Sequence, residues 1–126
     1  MIGKFALTAF LATSNPRRAK VFYEKTLGLR LVDDDKFALV FDAAGVPLRI
    51  QKVSELRPQA FTSLGWQVQN IRRLITGLLK KGVVLERYEF LEQDDWGVWL
   101  APSGTRVAWF KDPDGNLLSV SESGAA

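Results

Sequence analysis

Asn15-Pro16-Arg17-Arg18 recurs 55 residues later as Asn70-Ile71-Arg72-Arg73, and this recurrence decides the fold. The apolar residues before the two stretches keep the same offset, since Leu11 matches Trp66. Self-similarity at a fixed offset indicates a duplicated supersecondary unit. We therefore predict two copies of one unit, and a seam between such copies is a natural place for a ligand cavity.

A turn pattern recurs at a second offset. Asp42-x-x-Gly45 returns as Asp112-x-x-Gly115, 70 residues later. Because the offsets of 55 and 70 differ by 15, the second copy should carry 15 extra residues between its helix and its penultimate strand. We expect them in segment 89–103, which holds Trp96 and Trp99, two of the four tryptophans.

The first copy has the pattern of a βαβββ unit. Residues 5–13 are almost wholly apolar, which is typical of a strand covered on both faces. Asn15 is a good helix N-cap, Pro16 suits the first helical position, and Gly28 ends the helix. Three more strands are predicted at 29–32, 37–41 and 46–53.

The second copy repeats this order. A strand at 63–68 leads to Asn70, which caps an amphipathic helix that ends at Gly82. Further strands are predicted at 83–91, 98–101, 106–110 and 116–121. We expect an α+β fold in a single domain, 1–126, with module one at about 5–56, a linker at 58–60 and module two at about 61–122.

The composition excludes several classes of function. The 126 residues include no histidine and no cysteine, so imidazole or thiolate chemistry and disulfides are ruled out. The net charge of +3 is mild and accompanies no nucleic-acid-binding motif. No apolar run approaches the length of a membrane span, and no secretory signal begins the chain. We expect a cytoplasmic protein without nucleic-acid or membrane partners.

Two motifs carry a family resemblance. Residues 14–19, with Phe22-Tyr23 and Leu27-Gly28-Leu29, resemble the first-module signature of the vicinal oxygen chelate superfamily. That superfamily includes glyoxalase I, bleomycin-resistance proteins and extradiol dioxygenases. The stretch Asp112-Pro113-Asp114-Gly115-Asn116 resembles its second-module signature. Over 5–120 the resemblance implies two modules whose sheets form a cup, with helices outside, a ligand site inside and frequent homodimers.

Enzymes of this superfamily usually bind a divalent metal through residues on the first and last strands of each module. By resemblance, the first-strand positions are Thr8 and Ser63, and the last-strand position of module two is Ser119. In module one the last-strand position is Arg49 or Gln51; the repeat favours Arg49 and strand length permits Gln51. A divalent catalytic ion needs imidazole or carboxylate ligands. We therefore expect no metal and no cofactor.

Strand alternation sorts side chains onto the two faces of each predicted sheet. Phe10 should share a face with Thr8, and Gln67 should share a face with Ser63. Trp109 could face either way, and Trp96 and Trp99 could cover the mouth of the cup or lie in a dimer contact. The candidate ligand-binding residues are Thr8, Phe10, Arg49, Gln51, Ser63, Gln67, Trp96, Trp99, Trp109 and Ser119.

The leading hypothesis is a metal-free protein that binds a small organic molecule in the cup and sequesters it, as in the bleomycin-resistance branch. A neutral or anionic ligand would suit such a cavity. The alternative is an enzyme of the same fold, a glyoxalase-type lyase or isomerase or a dioxygenase relative, with carboxylates or an unusual metal site. A third hypothesis is an interaction module whose cup is filled by its own side chains.

Overall fold

The computed structural model describes residues 1–124 and divides into two compact units, the first spanning Met1–Arg57 and the second beginning at Pro58. Each unit has its own four-stranded mixed sheet and its own helix, which confirms an α+β fold built from two βαβββ modules. None of the helices within residues 1–124 has the length and apolar character of a membrane span.

Unit one begins with a short 3₁₀ turn at Ile2–Lys4 and continues with one helix and four strands. Its sheet has the order β1-β4-β3-β2, in which β1 and β4 are parallel and the other pairs antiparallel. The elements are β1 (Ala9–Thr13), α1 (Pro16–Val21) with a π-helical continuation (Phe22–Thr26), β2 (Arg30–Asp34), β3 (Ala38–Ala43) and β4 (Val46–Lys52).

The predicted signals at both ends of the first helix are confirmed. The side chain of Asn15 accepts a hydrogen bond from the backbone N–H of Arg18 at 3.2 Å, which satisfies a donor that the helix leaves unpaired. Gly28 takes a φ of +78°, a conformation that glycine adopts without strain. The buried Tyr23 ring packs against Phe41 of β3 at a centroid distance of 5.8 Å, so the helical segment covers one face of the sheet.

Unit two repeats the plan with the sheet order β5-β8-β7-β6. Asn70 caps the helix by accepting a hydrogen bond from the N–H of Arg73 at 3.1 Å. The buried side of the helix consists of Ile71, Ile75 and Leu78, as the periodicity predicts. The elements are β5 (Leu64–Gln67), α2 (Ile71–Lys80), β6 (Trp99–Leu100), β7 (Arg106–Lys111) and β8 (Leu117–Glu122).

The strand registers of the two units match. Phe10 of β1 lies opposite Arg49 of β4, and Gly65 of β5 lies opposite Ser119 of β8. These pairs are related by the offsets of 55 and 70 seen in the sequence. Arg49 is therefore the counterpart of Ser119, and of the two possibilities for module one it is the residue at the repeated position.

The first strand is shorter than the sequence predicted. It begins at Ala9 instead of residue 5, and Phe5 and Leu7 are exposed. In the register of β1 and β4, Thr8 would lie opposite Pro47, which has no N–H to donate to the ladder. The apolar residues before Ala9 are therefore not part of a covered strand, and that prediction was wrong.

The predicted strand at 83–91 was also wrong. Only an isolated bridge between Leu85 and Phe110 forms there, and β6 pairs farther along β7. The edge position beside β7 is thus shared by two short pieces of chain, with the inserted residues between them. A broken edge is common where an insertion interrupts pairing.

The register also corrects the position of the insertion. Val40 lies opposite Arg49 and Trp109 lies opposite Ser119, so β3 and β7 are related by an offset of 69 rather than 70. Fourteen of the extra residues therefore precede β7 and one lies in the following turn. The two Asp-x-x-Gly turns differ accordingly: Gly45 donates to the side chain of Asp42, whereas Gly115 donates to the backbone carbonyl of Asp112.

Candidate functional site

The sheet of unit two has one face under the helix and one open face. The face under α2 presents Phe110, Leu118 and Val120, all buried. Side chains on the other face, here called the open face of unit two, follow the register in two rows. The first row is Gly65, Ser119 and Trp109, and the second is Gln67, Ser121, Val107 and Trp99.

An aromatic cluster lies on this open face. The rings of Trp99 and Trp109 are 6.2 Å apart between centroids, with an interplanar angle of 34°. Tyr88 meets Trp109 edge-on at 5.6 Å, and Phe90 lies 5.4 Å from Tyr88. Such separations lie within the favourable range for aromatic pairs. We call these four residues the aromatic platform.

Polar groups without internal partners surround the platform. Within residues 1–124 the side chains of Gln67, Ser119 and Ser121 make no hydrogen bond to the protein, and neither do the indole N–H groups of Trp99 and Trp109. Gly65 leaves the hydroxyl of Ser119 uncovered, because a Cβ at that position would lie 2.7 Å from its Oγ. The open face thus offers apolar ring surface together with several donors and acceptors that a ligand can use.

The inserted segment is held to the platform by a network of side-chain bonds. Gln93 accepts from the N–H of Tyr88 at 2.8 Å and donates to the carbonyls of Glu86 and Gly97 at 3.0 and 2.8 Å. Arg87 donates to the carbonyls of Asp94 and Asp95 at 2.7 and 2.9 Å. The insertion is therefore a structured segment that is held in place by its own hydrogen bonds.

The environment of the platform raises the pKa of Tyr88. Burial raises the pKa of its hydroxyl above the ordinary 10.0, and the nearby charge of Glu86 raises it further. The hydroxyl is a neutral donor and acceptor at physiological pH. Glu86 itself is directed to Lys111, whose Nζ lies 3.5 Å from its carboxylate.

The sheet of unit one also has an open face, opposite the buried Leu48 and Ile50. One row across it runs from Phe10 through Arg49 and Val40 to Asp33. Gln51 lies in the next row, between Ala12 and Ala38. The register therefore puts Phe10, Arg49 and Gln51 on one face of this sheet.

The carboxylates of Asp34 and Asp35, in the acidic turn beside this face, are bound by other groups of the protein. Asp34 binds Lys52 at 2.6 Å and Lys20 at 3.6 Å, and the hydrogen bond from Lys52 is the main reason that its pKa is lowered. Asp35 accepts from the N–H groups of Phe37 and Ala38 at 2.8 and 2.9 Å, and these bonds lower its pKa.

The predicted site residues are thus distributed over two faces. Trp99, Trp109, Ser119 and Gln67 share the open face of unit two, and Phe10, Arg49 and Gln51 share that of unit one. Thr8 and Ser63 lie just before their strands and are exposed.

Trp96 lies in the turn of the insertion and makes no ring contact among residues 1–124. Sequence reasoning missed Tyr88 and Phe90 of the platform. The signal that could have found them is their spacing of two residues within a segment predicted as a strand, since such spacing puts both side chains on one face.

The residues present do not fit a catalytic metal. The positions that the resemblance assigns to metal ligands hold Thr8, Ser63, Ser119 and Arg49. Hydroxyls and a permanently charged guanidinium do not replace carboxylate or imidazole ligands. Within residues 1–124 no three acidic side chains lie close enough to hold an ion.

Compared by sequence, the chain matches no protein-family model and none of the curated proteins. Solved structures do match. A glyoxalase family protein from Enterococcus faecalis has a TM-score of 0.76 at 22% identity, with coverage of 97% of this chain and 100% of that chain. The genomically encoded fosfomycin resistance protein FosX from Listeria monocytogenes has a TM-score of 0.74 at 13% identity, with coverage of 95% and 93%.

A third similar structure is the glyoxalase/bleomycin resistance protein/dioxygenase from Alicyclobacillus acidocaldarius, with a TM-score of 0.72 at 16% identity and coverage of 97% and 93%. At identities this low, the similarity shows a shared fold and nothing finer. The resemblance predicted from the two sequence motifs is confirmed at that level: the chain has the fold of the vicinal oxygen chelate superfamily.

Proposed function

We propose that this protein is a metal-free binding protein that sequesters a small organic ligand with an aromatic or otherwise flat apolar part. The observation that carries the proposal is the aromatic platform on the open face of unit two. Large aromatic side chains with unpaired donors beside them are typical of ligand sites, where rings supply contact area and polar groups fix orientation.

The surroundings of the platform favour binding over catalysis. An acid or base would have to reach the ligand, yet Glu86 is directed to Lys111. The carboxylate of Asp112 accepts from the backbone of Asp114 and Asn116, both at 2.9 Å, within the turn after β7. Among residues 1–124, no specific contact favours the glyoxalase-type or dioxygenase-related enzyme, or an interaction module with a self-filled cup.

The proposal includes a homodimer and a cytoplasmic setting, without nucleic-acid or membrane partners. The dimer rests on the family resemblance and on exposed edge strands, which proteins commonly cover. The cytoplasm fits a chain without cysteine, which needs no oxidising compartment.

The first test uses tryptophan emission with two neutral probes of similar size. 1-Naphthol should quench or shift the emission, because its flat rings stack on Trp99 and Trp109, whereas its saturated analogue decahydro-1-naphthol should have little effect. Native mass spectrometry of freshly purified protein should also detect an organic molecule bound to the chain. Equal responses to both probes, or none to either, would contradict a site of this kind.

The second test uses variants. Trp99→Ala should weaken 1-naphthol binding at least about tenfold, which corresponds to about 1.4 kcal/mol for a central aromatic anchor. The control is Trp66→Phe, because Trp66 lies opposite the buried Val120 on the helix side of the same sheet. That variant should lower stability and leave the affinity intact. If Trp99→Ala instead produces monomers with normal affinity, the residue belongs to a dimer interface.

A further inference from the structure

Arg49 occupies a central place on the open face of unit one. It lies on β4, the strand between β1 and β3, and its register neighbours are Phe10 and Val40. Phe10 is 55% exposed, and Arg49 is half-buried. A cation is therefore flanked by apolar surface on both sides.

The guanidinium of Arg49 has no protein partner among residues 1–124: it makes neither an ion pair nor a hydrogen bond there. Two other arginines do find partners. Arg30, on the same sheet, lies 3.4 Å from Asp42, and Arg87 binds two carbonyls. The Arg49 residue is half-buried, but its guanidinium nitrogens are not closed off from solvent, so its donors are available to an incoming acceptor.

Two of the three neighbouring carboxylates are already engaged. Asp34 is paired with Lys52, and Asp35 is held by two backbone N–H groups. Asp33 accepts from the N–H of Asp34 at 3.0 Å. The charge of Arg49 reaches this turn, since it adds to the backbone bonds in lowering the pKa of Asp35, but it forms no direct pair.

We propose that Arg49 binds the carboxylate of an organic monoanion whose apolar body lies on Phe10 and Val40. A planar guanidinium matches a carboxylate with two parallel hydrogen bonds. This inference rests on the proposed function only for the class of ligand, a small organic molecule, and it concerns the open face of unit one by itself. A carboxylate on an apolar body is favoured over inorganic phosphate, because Phe10 and Val40 offer apolar surface that a hydrated inorganic ion does not use.

The test compares three probes: benzoate, its neutral isostere benzamide, and inorganic phosphate. Calorimetry should detect benzoate binding, and the NMR signal of the Arg49 Nε–H should shift on titration. Benzamide should produce neither effect, and phosphate should bind more weakly than benzoate. Absence of benzoate binding, or equal binding of benzamide, would overturn the proposal.

Three variants locate the effect. Arg49→Gln should reduce benzoate affinity at least tenfold, and Arg49→Lys should retain part of it because it keeps the charge without the planar fork. Arg30→Gln is the matched control, since Arg30 lies on the same sheet but is already paired with Asp42. Its benzoate affinity should equal that of the wild type, and melting curves establish that each variant is folded. Unchanged affinity in Arg49→Gln would overturn the proposal.

The same variants separate this inference from the proposed function. Arg49→Gln should keep the response of tryptophan emission to neutral 1-naphthol, because that probe has no charge for Arg49 to bind. Benzoate binding without any 1-naphthol response would contradict the aromatic platform and leave Arg49 as the anion site. The opposite result would contradict the role of Arg49 alone.

Discussion

At the scale of single residues, the two units keep the same strand positions but carry different side chains at them. Equivalent positions of the two open faces hold Phe10 and Gly65, then Arg49 and Ser119. The third position, on β3 and β7, holds Val40 and Trp109. Unit one therefore presents a cation between apolar side chains, whereas unit two presents an aromatic ring beside a hydroxyl. Strand register fixes the positions, and each side chain is then free to diverge.

Asp34 should make the stability of unit one sensitive to acid. Its folded-state pKa is lowered below 3.8, mainly by the hydrogen bond from Lys52. The carboxylate therefore stabilises the fold fully above the ordinary pKa, and this contribution is lost as the pH falls through the lower folded value. Asp34→Asn should lower the melting temperature at pH 7 and flatten its decline below about pH 4. Asp95→Asn is the control, and identical acid profiles for wild type and Asp34→Asn would contradict the assignment.

At the scale of elements, the insertion of unit two is held in place more by side-chain hydrogen bonds than by backbone hydrogen bonds between strands. Gln93 joins the backbone of Glu86, Tyr88 and Gly97, which lie on both sides of the turn. Gly97 has a φ of +83°, and a Cβ there would lie 3.2 Å from the Cβ of Leu85. The insertion therefore packs closely on the edge of the sheet and positions Tyr88 beside Trp109.

Gln93→Ala should loosen this element. The change removes three hydrogen bonds, so the free energy of unfolding should fall by about 1–3 kcal/mol. Hydrogen exchange should rise in segment 86–98, and 1-naphthol should bind more weakly because Tyr88 is no longer held. Gln69→Ala, at an exposed position, should change none of these quantities. Faster exchange spread evenly over the whole of unit two would show that Gln93 supports the sheet and not the insertion in particular.

At the scale of the whole molecule, the absence of histidine and cysteine predicts that the protein does not bind transition metals. The purified protein should contain no stoichiometric zinc, nickel, iron or manganese. Added nickel or zinc should leave the melting temperature unchanged, since a ligand that binds only the native state must raise it. Elemental analysis with about one equivalent of metal per chain would refute this prediction.

The exposed apolar residues of the single chain predict self-association. Large side chains such as Phe5, Leu7 and Phe37 are 67–74% exposed, and extensive apolar exposure often marks an interface. Light scattering at micromolar concentration should therefore give the mass of a dimer. A monomer mass over that range would be incompatible with the prediction, and dimers that persist in Trp99→Ala would place that residue outside the interface.

The sequence by itself determined the duplication, the helix ends and the fold class. Those features depend on local chemistry: an Asn side chain at Asn15 or Asn70 reaches a helix N–H within its own turn, and Gly28 adopts without strain the positive φ that ends the helix. Alternation along each strand is equally local, and it predicted a shared face for Phe10 and Thr8 and for Gln67 and Ser63.

Only the tertiary structure decided which strands form and which side chains meet. The strand predicted at 83–91 depends on an edge partner that the insertion interrupts, and the first strand is cut short opposite Pro47. Trp109 could be oriented only by its register with Ser119, and its contact with Tyr88 joins residues far apart in sequence. Pairing across strands is a nonlocal property, so composition and periodicity alone do not fix it.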